Sequence, residues 1–285
     1  MNPNEATLVV ADEYSRMAET YDRRVTPRFE SVAKAVLELL DPKPGELVLD
    51  VATGTGLLAR LLAPKVHPQT VVAIDLADGA LSVGSFRAGD AGIRNIRFEM
   101  MDARNIVYPG QLFDGVGSNL GMPNLGYDRT FAEVHRVLKP EGRFVFSEWA
   151  AEPSRGEAAF YAALGAHATA TPSKALAEVR EARRVHRGAP EAKDLLVPGR
   201  VLERLWDVGF GSAEVATRAF PVTYGNAADV IAFNAAWGWD EREVEEMDPQ
   251  GRTAFEEELA GRLAPLRTRD GLRDEWTIHL YRAWK

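Results

Sequence analysis

The 285-residue chain contains no cysteine. Disulfides, thiolate zinc sites, iron–sulfur clusters and cysteine nucleophiles are thereby excluded, and a reducing compartment such as the cytoplasm is expected. Nor does any apolar run approach the ~20 residues of a membrane span. The opening MNPNEATLVV has neither the basic end nor the apolar core of a secretory signal. Basic residues are in deficit, 34 Lys and Arg against 42 Asp and Glu, for a formal net charge of −8. That balance argues against a surface built to track a phosphate backbone, so no nucleic-acid partner is expected. No metal site is expected either. No internal repeat and no low-complexity linker interrupts the chain. What it does have is 46% hydrophobic residues, enough for a substantial core.

Residues 1–45 read as helical. The stretch 30–40 (ESVAKAVLELL) puts Val32, Val36, Leu39 and Leu40 on one face, and Pro42, Pro44 and Gly45 then stop it. From 46 the rhythm changes to short apolar runs at 46–51, 71–74, 96–100, 115–118 and 143–149. Helical stretches separate several of them, and Lys139-Pro140-Glu141-Gly142 reads as a turn before the fifth run. This cadence predicts βαβ units, a parallel sheet and helices on both faces, an α/β fold. Beyond 150, residues 151–213 and 224–272 are mainly helical, and 214–223 and 273–285 alternate like strands. The stretch 240–258 holds nine acidic residues against two arginines and reads as a solvated helical face.

The most informative segment is Asp50-Val51-Ala52-Thr53-Gly54-Thr55-Gly56. A strand that turns through glycines into a helix brings bare backbone and a positive helix end to one point. Asp75 follows 21 residues after Gly54, at the end of the second run, where a carboxylate can accept both hydroxyls of an adenosine ribose. Asp102, with Ala103 beside it, ends the third run within reach of an adenine edge. Singly each aspartate is a common turn-former. Together they mark the carboxyl ends of adjacent parallel strands, where open α/β sheets bind ligands. The segment 54–59 also satisfies the dinucleotide fingerprint. Against a nicotinamide cofactor stands Asp50, which would face a pyrophosphate. A ligand carrying an ammonium and a sulfonium suits it better, and S-adenosylmethionine is such a ligand.

Five segments in order, VLDVATGTG (48–56), VVAIDLADGAL (71–81), FEMMDARNI (98–106), FDGVGSNLGM (113–122) and EVHRVLKPEGRFVFSEW (133–149), resemble a class I S-adenosylmethionine-dependent methyltransferase. In style they are similar to the ubiquinone/menaquinone-biosynthesis type of small-molecule enzyme. The resemblance covers roughly half the chain, from Tyr14 to Trp149. It implies a Rossmann-like seven-stranded sheet, mostly parallel, whose last strand runs antiparallel. The 46–150 segment is then the cofactor core, 214–223 and 273–285 are the closing strands, and 151–213 and 224–272 are lid insertions of one domain. It also implies that Asp50, Ala52, Thr53, Gly54 and Gly56 hold the amino-acid end of S-adenosylmethionine. Asp75 with Leu76 would take the ribose, Asp102 with Ala103 the adenine, and Ser118-Asn119-Leu120 would lie under the methionine moiety. Tyr14 and Tyr21 match positions that close over the cofactor. Ala52 and Thr53 depart from the glycine and frequent cysteine usual there.

Methyl transfer is an in-line displacement that sometimes needs a base. His167, His186 and Glu148 are the candidates, none singled out by the sequence; His135, His67 and His279 read as structural. The aromatics Trp149, Tyr161, Tyr224 and Trp237, with Phe160, Phe233 and Trp239, cluster in the insertions. If turned inward they would enclose a flat or greasy acceptor. The expected activity is therefore methylation at O or C of a small, largely apolar molecule. Two alternatives stay open: the same cofactor as a scaffold for a cyclisation or rearrangement, or a non-catalytic binder of an adenosine compound. The Asn/Asp-Pro-Pro-Tyr motif of nucleic-acid enzymes is absent after the fourth run, and so is the acidic pair of arginine methylation. Lack of cysteine removes radical chemistry on the cofactor and thiol-dependent arsenic methylation. The oligomeric state is left open, a homodimer included.

Overall fold

The computed structural model, which describes residues 1–123 and 125–285, sets the apolar runs side by side in one sheet. Its strands are β1 (Val48–Val51), β2 (Val71–Asp75), β3 (Ile96–Met100), β4 (Phe113–Asn119), β5 (Leu138–Trp149), β6 (Ser212–Tyr224), β7 (Arg267–Thr268) and β8 (Gly271–Trp284). The order is β3-β2-β1-β4-β5-β8-β6, with the two-residue β7 attached to β8. β1 to β5 pair in parallel, while β8 is antiparallel to both β5 and β6. The order reverses at β1, between β2 and β4, which opens a crevice at the carboxyl ends of the strands.

Thirteen α-helices and one 3-10 turn (Ala264–Leu266) complete the described residues. At the amino end come α1 (Pro3–Arg16), α2 (Ala18–Arg24) and α3 (Thr26–Leu40); within the core, α4 (Leu57–Val66), α5 (Asp78–Asp90) and α6 (Tyr127–Val137). Then follow α7 (Arg155–His167), α8 (Lys174–Gly188), α9 (Pro190–Asp194), α10 (Pro198–Asp207), α11 (Ala227–Trp237), α12 (Glu241–Glu245) and α13 (Pro249–Arg262). Caps fix many of their starts. Asn2 and Glu5 form a reciprocal capping box at α1, and the side chains of Ser154, Ser173, Asn226 and Asp248 each accept a backbone N–H at the starts of α7, α8, α11 and α13.

Two apolar layers sandwich the sheet. On one face Val32, Val36 and Leu40 of α3 join Leu58, Leu62 and Val66 of α4 against Val48 and Val71. On the other, Phe131 and Val134 of α6 join Val201 and Leu205 of α10 against Leu49, Val72, Phe144 and Phe146. Strands covered on both faces need no polar alternation, which is why β1 and β2 read as apolar runs broken only by Asp50 and ended by Asp75.

Several boundaries differ from the sequence expectation. Residues 139–142 are not a free turn. β5 already starts at Leu138, which pairs with Phe113, and the register shifts before Gly115, so the extra residues form an irregularity within the strand. β6 runs two residues earlier than 214 and β8 starts two residues before 273. β8 lies inside the sheet between β5 and β6, and His279 sits opposite Glu148. The acidic stretch 240–258 is not simply a solvated face. Asp240 is 0% and Glu243 4% exposed. Arg183 reaches Asp240 at 2.7 Å, and Arg180 makes two 2.7 Å hydrogen bonds to Glu243. A buried carboxylate needs such a partner, and these pairs tie α8 to the chain around α12.

Candidate active site

The turn after β1 sets up the site. Asp50 lies 1% exposed near the strand's end; Thr53 Oγ1 donates to its Oδ2 at 2.6 Å, and its Oδ1 has no hydrogen-bond partner among the described residues. Burial pushes the carboxyl up to about 7, with the Thr53 hydrogen bond opposing. The two glycines do different work. A Cβ on Gly56 (φ +76) would meet the Phe98 ring at 2.8 Å, so its constraint is packing, whereas Gly54 (φ +54) has open space where a Cβ would stand and lines a cavity. Ala52 also adopts a left-handed φ of 52°, a conformation that L-residues seldom hold.

Asp75, at the end of β2, braces this loop from the neighbouring strand. Its Oδ2 accepts the Gly54 N–H at 2.8 Å and its Oδ1 the Ala77 N–H at 2.9 Å. Burial raises its pKa while those backbone bonds oppose the rise. Asp102 is held by Arg104, whose Nη2 lies 2.8 Å from Oδ2 and whose backbone N–H donates to Oδ1 at 2.8 Å. Burial alone would raise the Asp102 pKa; the Arg104 contacts outweigh it and hold the carboxyl below its ordinary value. Across the crevice, the Leu120 N–H donates to Ser147 Oγ at 2.9 Å, and that hydroxyl donates to Asn119 Oδ1 at 3.1 Å. The two loops touch at Gly121, where a Cβ would stand 2.8 Å from both the Cβ and the carbonyl oxygen of Ala52.

One cavity of about 700 Å³ joins these strand ends to an aromatic chamber under the helices. Trp149 stacks on Trp237 with centroids 4.9 Å apart and meets Phe29 edge-on at 5.8 Å. Tyr14 stands edge-on to Tyr21 at 5.8 Å and to Trp239 at 6.0 Å, and its hydroxyl donates to the Trp237 carbonyl at 3.1 Å. Trp239 is held at a φ of 63°, a strained setting of the kind that clusters at functional sites. Glu148, 7% exposed, lines the same cavity. Burial pushes its carboxyl up to about 7, against its one hydrogen bond, from the Trp149 N–H at 2.8 Å.

The cavity wall includes Asp50, Ala52, Thr53, Gly54, Asp75, Leu76, Asp102, Ala103, Asn119, Leu120, Tyr14, Tyr21, Glu148, Trp149, Tyr161, His186 and Trp237. Four sequence candidates are not on it. Gly56 and Ser118 sit behind the wall, packed by Phe98 and fully buried respectively. His167 is drawn off by Glu258, with Nε2 2.8 Å from Oε2. Tyr224 faces the core, edge-on to Phe233 at 5.8 Å with Arg28 5.0 Å over its ring. Sequence reasoning missed Phe29, Arg104, Met122, Glu157, Arg187 and Lys193, all on the wall. The 180/183/187 spacing of arginines on α8 was the readable signal for one of them.

Residues 48–142, which contain both crevice loops, match the model of a methyltransferase domain. The chain carries a methyltransferase domain over residues 48–142. It is 33% identical over 154 residues to the demethylmenaquinone methyltransferase of Symbiobacterium thermophilum, an alignment covering 52% of this chain and 61% of that protein. To the nocamycin O-methyltransferase of Saccharothrix syringae it is 30% identical over 155 residues, covering 50% of this chain and 55% of that one. The chain thus spans less than two thirds of either relative. In fold it is similar to the YcgJ protein of Bacillus subtilis, with a TM-score of 0.56 at 15% identity over 90% of this chain and 98% of the other.

The crevice residues fit S-adenosylmethionine as a ligand. The unpartnered Oδ1 of Asp50, buried at the crevice, is an acceptor suited to an ammonium group, and the open space at Gly54 leaves backbone accessible beside it. A carboxylate there would repel a pyrophosphate but suits a cationic ligand.

Proposed function

We propose that the protein transfers a methyl group from S-adenosylmethionine to an oxygen or carbon of a small, largely apolar organic acceptor. The continuity of one cavity from the strand-end acids to the Trp149–Trp237 chamber carries this reading, because donor and acceptor must share a closed space. The bound cofactor supplies an electrophilic methyl group on a sulfonium. On the chain's side, Asp50 and Gly54 hold the amino-acid end, Asp75 the ribose and Asp102 the adenine, while Asn119 and Leu120 floor the methionine. The segments 151–213 and 224–272 form the lid over the 46–150 core within one domain, and Trp149, Trp237 and Tyr161 shield the chamber from water and wall a planar acceptor.

Glu148 is the proton acceptor for a hydroxyl substrate. It lies on the cavity wall without an ion-pair partner among the described residues, and a carboxyl poised near 7 can take a proton at neutral pH. As the acceptor oxygen gains the methyl group, its proton passes to Glu148. His186 serves this role less well, since burial lowers its pKa, with the Ala6 backbone and then Arg104 as lesser influences. The reading extends to a cytoplasmic protein with a small-molecule substrate and no nucleic-acid partner; among the described residues no helix is long and apolar enough to cross a membrane.

Two measurements test it. Calorimetry should show S-adenosylhomocysteine binding and no competition by NADH. Incubation with methyl-labelled cofactor and a panel of phenols and hydroxyquinones should release S-adenosylhomocysteine in step with labelled product. Product formed without that release would indicate the scaffold reaction instead, and cofactor binding with no turnover of any acceptor would indicate a sensor.

A further inference from the structure

Helix α8 carries four arginines, and three are committed. Arg180 binds Glu243, Arg183 binds Asp240, and Arg184 binds Glu181 at 2.7 Å. Arg187 stands one turn beyond Arg183, and no carboxylate lies within 4.0 Å of its guanidinium among the described residues. It lies 5.3 Å over the Tyr161 ring and lines the cavity. Stacking on a ring occupies the face of a guanidinium and leaves its in-plane N–H donors free.

Two further groups on the same wall are basic. Lys193 of α9 has no ion pair among the described residues. His186 is 6% exposed, edge-on to Trp239 at 5.3 Å, and neither ring nitrogen makes a hydrogen bond of normal geometry. Other charges in the cavity are differently employed. Arg104 is neutralised by Asp102, and Asp50 and Asp75 belong to the cofactor end. Glu157, the carboxylate that shares this wall, sits beside the backbone of Ser154 at the start of its own helix and makes no ion pair with Arg187. Arg187 acts on Asp240 and Glu157 only at longer range, without a direct pair. A guanidinium at the rim of a cavity whose donors no carboxylate touches is a recognition element for an anion brought by the ligand.

Resting on the reading of this chamber as an acceptor site, we propose that the acceptor carries a planar anion such as a carboxylate. Arg187 binds it at the rim, with Lys193 and His186 beside it. The acceptor is then amphipathic, its apolar body between the tryptophans and its charged end at the rim. This is a narrower class than a wholly apolar quinone or lipid, and it sets which end of the molecule faces the methyl group.

The test uses the full chain saturated with S-adenosylhomocysteine and two probes of the same shape, 6-hydroxy-2-naphthoate and its methyl ester, with binding read by tryptophan quenching. Because the rim is exposed, a contact of this kind is worth up to about fivefold in affinity. The naphthoate should therefore bind about fivefold more tightly than the ester, and the preference should shrink at high salt. R187Q should bring the two to parity with S-adenosylhomocysteine affinity unchanged, while R184Q, altering a paired exposed arginine on the same helix, should keep the preference. Equal affinity of the two probes, or a preference that survives R187Q, overturns the anion subsite and leaves the chamber reading standing. Failure of both probes to bind while S-adenosylhomocysteine binds overturns the two together.

Discussion

Replacing Glu148 by glutamine should make the protein more stable and less active, and the stability gain should depend on pH. Burial pushes the folded-state carboxyl from 4.5 up to about 7. Below pH 4.5 the carboxyl is protonated in both the folded and the unfolded chain, so it contributes no pH dependence. Between 4.5 and 7 the unfolded chain ionises while the folded one resists, and stability is lost as pH rises. Above 7 the loss is complete, with a ceiling of about 3 kcal/mol at 1.36 kcal/mol per pH unit. Glutamine has nearly the same shape and still accepts the Trp149 N–H, but has no charge to bury. Urea denaturation of E148Q against the parent should therefore show little difference at pH 4.5 and a gain approaching about 3 kcal/mol at pH 8. Asp50 also titrates near 7, but it is present in both proteins and drops out of the difference. In the methylation assay with a phenol acceptor, the rising limb near pH 7 should vanish from the kcat profile. A stability difference that is flat with pH, or a parent more stable than E148Q at pH 8, would refute the burial argument. A retained limb in E148Q would refute the role in proton transfer.

Asp75→Ala leaves the Gly54 and Ala77 N–H groups without their acceptor, a loss of about 1–3 kcal/mol. S-adenosylhomocysteine affinity by calorimetry should fall by about tenfold to a hundredfold, and an unchanged value would separate the loop from the cofactor. Trp237→Ala removes the partner stacked on Trp149 at 4.9 Å. An aromatic pair of this kind is worth about 1 kcal/mol, so affinity for 2-naphthol should drop about fivefold with cofactor binding retained. Arg183→Ala strands Asp240, which is 0% exposed, and should cost about 3–5 kcal/mol in denaturant unfolding at pH 8. Burial already pushes Asp240 up to about 6 against the pull of Arg183, and losing Arg183 raises it further, so part of that loss should return as the pH falls from 8 toward about 6 and the stranded carboxyl takes a proton before the parent's does. A loss independent of pH would mean the pair matters for packing alone.

The core was legible because its signals are local. Strand runs such as 48–51 and 71–75 are covered on both faces and so apolar apart from Asp50 and Asp75, and the glycine turn and these strand-end aspartates occupy fixed positions in them. Register in a parallel sheet then brings Asp50, Asp75 and Asp102 to one edge with no further choice. The errors came where a residue's surroundings are supplied from far along the chain. Tyr224 and Trp237 look equivalent in the sequence, yet one packs into the core beside Phe233 and the other stacks on Trp149. His167 and His186 are both helical histidines, but Glu258 takes the first away from the cavity.

From composition and spacing alone follow an α/β protein without thiol chemistry, a parallel sheet from 46 to 149 and an adenosine-type crevice beside Asp50, Gly54 and Asp75. Those properties depend on residue type and on contacts within or between successive βαβ units, and short-range physics suffices for them. Tertiary structure alone decided that Gly56 packs while Gly54 stays open, that Asp240 and Glu243 are buried rather than solvated, that Glu148 is buried on the cavity wall, and that Arg187 is the arginine of α8 without an ion pair among the described residues. Each of these turns on burial and charge contributed by other segments of the chain, as Phe98 packs on Gly56 and Arg183 and Arg180 reach Asp240 and Glu243. A carboxylate's pKa, a histidine's partner and an arginine's freedom belong to that assembled environment and have no signature in the local sequence.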